Sequence, residues 1–241
     1  MSDRTPLRAL ITGASSGIGK ATALALAKAG VPSALVSRRA DRLAAVAAEA
    51  ATYGVECKPY PVDLAQLSQV RQQIGAIADD FGPIDLLINN AGMGYTGNLI
   101  DTPLSDWQRV MDLNLTSVFE CIGAILPAMR DRQQGTILNV ASVAAYEAFP
   151  GWGAYNVSKA ALVCLSKTLA AEERANGIRV TIISPGAVNS PIWDTPTVNA
   201  DFDRSQMLTP EIVAESIVHA ALLPASAAID ELTLVSNAGN F

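Results

Sequence analysis

Tyr155 and Lys159 stand four residues apart in Tyr155-Asn-Val-Ser-Lys159. On a helix that spacing puts both side chains on one face. An ammonium beside a phenol favours phenolate and is expected to bring the tyrosine pKa toward working pH. Such a phenol can give a proton to a carbonyl oxygen as hydride reaches the carbon, or take one in reverse. Ser142 follows the β-branched run 136–140, at the carboxyl edge where open α/β sheets bind ligands, so its hydroxyl can hold the same oxygen. Asn114, in Asp112-Leu-Asn-Leu, lies upstream. Chance Tyr-x-x-x-Lys pairs are common on helices. A glycine turn and the strand-end serine make this one specific.

The turn is Thr12-Gly13-Ala14-Ser15-Ser16-Gly17-Ile18-Gly19, between a strand pattern and a helix pattern. Glycines let the backbone approach a diphosphate, and the helix N-terminus directs N–H groups at it. Three residues separate Gly13 from Gly17, so the motif is not G-x-G-x-x-G. Gly19-Lys20 imitates the end of a Walker A loop, but Ala14 and Ala21 replace its glycine and its magnesium-binding hydroxyl. The second strand ends Val36-Ser37-Arg38-Arg39, with no carboxylate before Asp41. An Asp or Glu there would meet a free ribose 2′-hydroxyl. Two guanidiniums and a hydroxyl instead suit a 2′-phosphate, and thus NADP(H).

Strand patterns at 7–11, 34–37, 56–60, 84–88, 136–140, 179–183 and 231–235 alternate with helix patterns. The latter lie near 18–29, 41–53, 67–81, 105–130, 154–175 and 210–223. Ser105 with Gln108 reads as a capping box, and Thr209-Pro210-Glu211 as a cap, an N1 proline and an acid. Gly30 and Gly177 fall where left-handed C′ residues are expected. Strict alternation predicts an α/β fold, a parallel sheet with helices on both faces, in one domain over 1–241. The pattern lapses over 184–208. Its part 187–208, which carries Ile192 and Trp193, is expected to be a lid.

The 241 residues are 50% apolar, which excludes disorder, and carry a net charge of −6, which disfavours nucleic acid. No unbroken apolar run of bilayer length is present, and the first residues lack a signal-peptide pattern. Cys57, Cys121 and Cys164 match neither a disulfide framework nor a zinc spacing. They are expected to pack as small apolar residues in a cytoplasmic protein. His219 is the lone histidine, so a His cluster is excluded and no metal site is expected. Trp107 is expected to pack, and Trp152 either to pack or to line a pocket.

Together these residues resemble the short-chain dehydrogenase/reductase family over essentially the whole chain. The matching elements are Thr12-Gly13-x-x-x-Gly17-Ile18-Gly19, Asp63, Asn89-Asn90-Ala91-Gly92, Asn114, Ser142, Tyr155, Lys159 and Pro185-Gly186-x-Val188. The resemblance implies a seven-stranded Rossmann sheet and an Asn-Ser-Tyr-Lys tetrad. Tyr155 would be the acid/base and Ser142 would orient the carbonyl. Lys159 would bind the nicotinamide ribose and tune Tyr155, and Asn114 would hold a relay water. Asp63, with Leu64, would contact adenine, and Asn90, Ala91 and Gly92 would line the adenosine-ribose side. Pro185, Gly186 and Val188 would meet the carboxamide. Arg38 matches the NADP-preferring pattern, and Ser190 stands where Thr is usual. Met93, Tyr95, Tyr146 and Phe149 would sit with Trp152 near a mouth suited to a fairly apolar small carbonyl or alcohol. Residues 1–100 would mainly bind cofactor and 101–241 carry the chemistry. Apolar residues on more than one face of 154–175 (Ala160, Ala161, Leu162, Cys164, Leu165) fit the family's tetramers.

The expected activity is an NADPH-dependent carbonyl reductase. The alternatives are a 3-oxoacyl-[acyl-carrier-protein] reductase and a non-catalytic dinucleotide sensor. Against an acidic carrier stand the net charge and Asn176, where such enzymes are often basic. Arg130 and Arg132 partly compensate.

Overall fold

The computed structural model describes residues 7–200 and 203–238. The N-terminal residues 1–6, positions 201–202 of the expected lid and the terminal 239–241 lie outside them. Seven strands form one sheet: β1 (Ala9–Thr12), β2 (Ser33–Ser37), β3 (Cys57–Pro61), β4 (Leu86–Asn89), β5 (Gly135–Val140), β6 (Ile178–Pro185) and β7 (Glu231–Leu234). All pair in parallel, in the order β3-β2-β1-β4-β5-β6-β7. Every residue of β1, β4 and β5 is buried, as a sheet covered on both faces requires. The order reverses between β1 and β4, so the connections leaving their carboxyl ends run to opposite faces and leave the crevice where open sheets bind ligands.

Helices α1 (Gly17–Lys28), α2 (Ala40–Ala51) and α7 (Pro210–Ala221) cover one face. Leu26, Leu43, Val46, Val213 and Ile217 meet Ile11, Leu35 and Ile88 there. The other face is covered by α3 (Leu67–Phe81), α5 (Ser117–Arg132) and α6 (Gly153–Glu173). On α3, Val70, Ile74, Ile77 and Phe81 repeat at helical spacing and all are buried. Each such side chain contributes roughly 1.5–3 kcal/mol on burial.

Thr209 caps α7 through Ile212 N–H at 3.4 Å, and Gly30 and Gly177 are left-handed, as expected. Ser105 is not a cap. Pro103 and the turn Leu99–Asp101 bring the chain into helix α4 (Leu104–Met111) one residue earlier, leaving Ser105 inside it. The expected helix 105–130 is interrupted by a π-helical turn, Asp112–Thr116. The run Leu104–Arg132 has 29 residues and contains an 18-residue window with a mean hydropathy of 1.3, enough by length and composition alone to cross a bilayer. No unbroken apolar run announces it. Its Val118, Cys121, Ile122, Ile125 and Met129 are instead committed to the core. Cys57 and Cys121 are buried, but Cys164 is exposed on α6, because its position faces away from the sheet.

Candidate active site

The turn after β1 is shaped by contacts that only glycine permits. A Cβ on Gly19 would lie 2.3 Å from the Gly13 carbonyl oxygen and 2.5 Å from Asn90 Nδ2. Gly13 and Gly17 have φ of +70° and +52°. Asn90 Nδ2 donates to the Thr12 and Gly13 carbonyls at 3.0 and 3.5 Å, while Thr12 Oγ1 accepts from the N–H groups of Asn90 and Ala91, each at 3.0 Å. The Asn90 side-chain nitrogen and backbone N–H therefore hold the turn onto β4. The Ser16 side chain, at the N-cap of α1, makes no capping hydrogen bond. The first-turn N–H groups, with Ser15 and Ile18 beside them, form a cradle that fits a diphosphate.

Beside that cradle, Ser37 Oγ accepts from Arg39 N–H at 3.3 Å, and the Ser37 carbonyl accepts from Val62 N–H at 2.9 Å. The second bond brings Asp63 and buried Leu64 next to Arg38. Asp63 Oδ1 accepts from Ala65 N–H at 3.1 Å, which fixes its loop. Arg39 leans on Asp41 at 3.6 Å, whereas exposed Arg38 has no ion pair among the described residues. This edge suits a phosphate dianion.

The π turn places Asn114 fully inside the protein. Its Oδ1 accepts from Met93 N–H at 2.8 Å, and its Nδ2 donates to the Met93 carbonyl and to Ser158 Oγ, both at 3.0 Å. Extra residues of this kind in a helix often mark functional sites. Ser158 Oγ in turn donates to the Tyr155 carbonyl at 2.7 Å, so Asn114 holds α6 at the turn that carries Tyr155 and Lys159. Nothing in the sequence separates Ser158 from other small hydroxyl residues, and the motif that contains Thr12 does not show its bonds, because these roles depend on partners 44 and 78–79 positions away. Gly92 closes the group: a Cβ there would lie 3.1 Å from Asn114 Oδ1 and 3.6 Å from Lys159 Nζ.

Ser142, just past β5, is buried and hydrogen-bonds the Tyr155 side chain. Its Oγ also accepts from Ala144 N–H at 3.1 Å. Lys159 Nζ donates to the Val140 carbonyl at 2.9 Å and sits 5.7 Å from the centre of the Tyr155 ring. The expected depression of Tyr155 by Lys159 is not met in this state. Burial pushes the Tyr155 phenol up, the Ser142 bond offsets only part of that, and burial pulls Lys159 itself down to about 8. Each charged form would lose hydration on burial, which disfavours it. A tyrosine raised in this way stays protonated at neutral pH, ready to act as an acid.

Hydrogen bonds hold both ends of the stretch 187–199 of the expected lid. Leu208 N–H donates to the Ala187 carbonyl at 3.0 Å and Asn189 N–H to the Leu208 carbonyl at 2.9 Å, pinning its neck beside Pro185, Gly186 and Val188. Ser190 lies over the glycine turn, 3.3 Å from where a Cβ on Gly17 would be. Thr197 Oγ1 donates to the Gly94 carbonyl at 2.7 Å, and Asn199 N–H to Thr96 Oγ1 at 2.7 Å, which fasten the far end to the segment after β4. Trp152 sits edge to face with Tyr155 (5.6 Å) and with Trp193 (5.7 Å), so it lines the mouth. Half-buried Met93 packs against the cluster of Tyr95, Val110 and Ala154. Tyr95 does not line the mouth: it is buried with Val110, Ala154 and Trp107, and its hydroxyl meets Asp106 at 3.2 Å. Tyr146 points away too, toward Ser184 at 3.5 Å and Glu231, because the 3-10 turn Val143–Ala145 carries it to the β6–β7 edge. Phe149 offers its carbonyl to Trp152 N–H at 3.1 Å.

Arg130 and Arg132, expected to compensate toward an acidic carrier, are engaged internally. Arg130 pairs with the buried carboxylate of Glu173, which also accepts from Asn176 Nδ2 at 2.9 Å. Arg132 donates to the Ile84 carbonyl at 2.8 Å. His219 is exposed in the last turn of α7. Among the described residues no group of His, Cys, Asp and Glu could hold a metal ion.

The family model for short chain dehydrogenases matches residues 8–199. A 3-oxoacyl-[acyl-carrier-protein] reductase of Synechocystis sp. is 37% identical over 96% of this chain and 95% of its own. Among solved structures, an alcohol dehydrogenase of the archaeon Thermococcus sibiricus, complexed with 5-hydroxy-NADP, superposes with a TM-score of 0.89. It is 29% identical, covering 98% of this chain and 99% of that one. A variant of actinorhodin polyketide ketoreductase, solved with NADPH, gives a TM-score of 0.87 at 29% identity over all of both chains. With its sheet order, its glycine turn and its Ser142–Tyr155–Lys159 group already in place, the chain belongs to the short-chain dehydrogenase family.

Proposed function

We propose that this chain is an NADPH-dependent carbonyl reductase, interconverting a ketone or aldehyde and its alcohol. The carrying observation is a site in which the Tyr155 phenol, protonated at neutral pH, bonds Ser142 with Lys159 Nζ 5.7 Å from its ring centre. The cofactor supplies the hydride when bound. Gly13, Ser15, Ser16, Gly17, Ile18 and Gly19 hold its diphosphate, Ser37, Arg38 and Arg39 its 2′-phosphate. Asp63 and Leu64 meet the adenine, the Asn90–Gly92 backbone the adenosine-ribose side, and Pro185, Gly186 and Val188 the carboxamide. Ser142 and Tyr155 hold the substrate oxygen, and Tyr155 gives it a proton as the carbon is reduced. Lys159 holds the nicotinamide ribose and replenishes that proton. Because the Asn114 side chain is occupied, a relay water there meets its main chain.

One domain carries both halves, residues 1–100 for cofactor and 101–241 for chemistry, with 187–208 as the lid. Three free thiols support a cytoplasmic setting. Exposed Phe119 on α5 and Val157 on α6 support assembly into a tetramer.

The Synechocystis relative supports a second reading, a 3-oxoacyl-[acyl-carrier-protein] reductase. The internal pairing of Arg130 and Arg132 weighs against it, since an acidic carrier needs available cations. The intact tetrad weighs against a non-catalytic sensor. The test is to supply NADPH deuterated at the transferable position with a panel of ketones. Deuterium at the carbinol carbon supports the proposal. Tight NADPH binding with no labelled alcohol from any ketone would reject it.

A further inference from the structure

We infer that Trp152 and Trp193 form an aryl-binding wall that selects uncharged carbonyl compounds bearing an aromatic group. The inference rests on the carbonyl-reductase reading and names its substrate class. Trp152 packs at 68° against Tyr155 and at 73° against Trp193, so an unbroken aromatic surface runs from the proton donor to the lid. Trp193 Nε1 donates to the Val188 carbonyl at 2.7 Å. That bond satisfies the polar end of the indole and fixes the ring beside the segment proposed for the carboxamide. Opposite lies Gly94, where a Cβ would meet Val198 at 2.7 Å, Ile192 at 3.5 Å and Trp152 at 3.6 Å. Val198, Ile192 and Trp152 thus pack directly onto the Gly94 backbone, an apolar backing behind the two half-buried indoles, and edge-to-face contacts between an indole and a ligand ring are favourable.

Charge points the same way. The three segments around the mouth, 91–103, 142–154 and 184–200, contain Asp101, Glu147 and Asp194 but no Lys or Arg. Arg204 follows them and is paired with Asp194 at 2.7 Å. Beyond Trp152 a hollow of about 320 Å³ is lined by Thr96, Gly97, Asn98, Pro150, Gly151 and Asn199, again without a charged side chain. A carboxylate or phosphate on the substrate would find no counter-charge here.

The experiment compares kcat/KM for acetophenone, cyclohexyl methyl ketone, 4-acetylbenzoate and a 3-oxobutanoyl thioester of N-acetylcysteamine. It uses the wild-type chain, Trp193→Ala and Trp193→Phe, with NADPH affinity and Tm recorded for each. The wild type is expected to favour acetophenone about tenfold or more over each of the others. Trp193→Ala should erase the preference for acetophenone over cyclohexyl methyl ketone, chiefly through KM, and Trp193→Phe should restore most of it. NADPH affinity should stay within about twofold. Equal loss on all four substrates in Trp193→Ala, or a wild-type preference for the anion or the thioester, overturns the wall. NADPH binding with no reduction of any of the four overturns the carbonyl-reductase reading itself.

Discussion

Arg38 sets the cofactor choice in this account, and its environment gives the size of the effect. It is exposed at the end of β2 with no ion pair among the described residues, so no carboxylate there competes with a 2′-phosphate for it. A charge-assisted hydrogen bond contributes about 1.5–3 kcal/mol, or about ten- to a hundredfold in affinity. Solvent around an exposed side chain favours the lower end, about tenfold. Arg39 is partly satisfied by Asp41 at 3.6 Å and adds less. Arg38→Ala should therefore weaken NADPH about tenfold and leave NADH unchanged. The difference should shrink as salt rises from about 0.01 to 1 M. Asp41→Ala should release Arg39 and tighten NADPH a few-fold. Quenching of tryptophan fluorescence on titration with each cofactor reads all of these. Equal weakening of NADH and NADPH by Arg38→Ala, or a wild-type preference for NADH, would refute the reasoning.

Three further outcomes follow from the same geometry. Lys159, pulled to about 8 by burial from an ordinary 10.5, costs about 3 kcal/mol of stability below pH 8. The unfolded chain holds the extra proton between those values, so this penalty fades as pH rises toward 10.5. Lys159→Met should abolish turnover yet stabilise the cofactor-free protein at pH 7 by about 2 kcal/mol, after about 1 kcal/mol for the orphaned Val140 carbonyl, with the gain gone at pH 10.5. Unfolding in urea at both pH values checks it. Arg130→Ala strands the buried Glu173 carboxylate, which Arg130 holds below its usual range. It should cost about 2 kcal/mol, discounted for half-exposed Arg130, without changing kcat on a small ketone. A selective loss on a carrier-bound thioester would instead favour the second reading. Gly19→Ala meets backbone at 2.3 Å, so it should cost about 1–3 kcal/mol in urea unfolding and weaken NADPH more than tenfold by fluorescence.

What could be read from the chain was whatever local patterning determines. The alternation of β-branched runs with Ala/Leu periodicity is legible because each element must bury one stripe or both faces of a strand. The seven parallel strands followed. Gly13, Gly17 and Gly19 were legible because a close backbone approach admits no other residue. What escaped depends on partners distant in sequence. The π turn at Asp112–Thr116 has no composition of its own, and the Thr12–Asn90 and Asn114–Ser158 bonds join elements far apart along the chain. Tyr95 and Tyr146 look alike as aromatic residues near the mouth, and only the path of the backbone turns both away. Arg130 and Arg132 read as available charge because nothing in the sequence marks Glu173 as buried. The direction of the Tyr155 shift escaped for the same reason, since burial is a property of the folded cavity.

The most direct test is Tyr155→Phe. It removes one oxygen and leaves the ring that packs against Trp152 at 5.6 Å. The variant, saturated with NADPH, would be mixed with a ketone that the wild type reduces, and a single turnover followed. The account predicts cofactor affinity within about twofold of wild type, and reduction slowed on the order of 10²–10⁴-fold. Single-turnover reduction at the wild-type rate would contradict the assignment of Tyr155 as the proton donor.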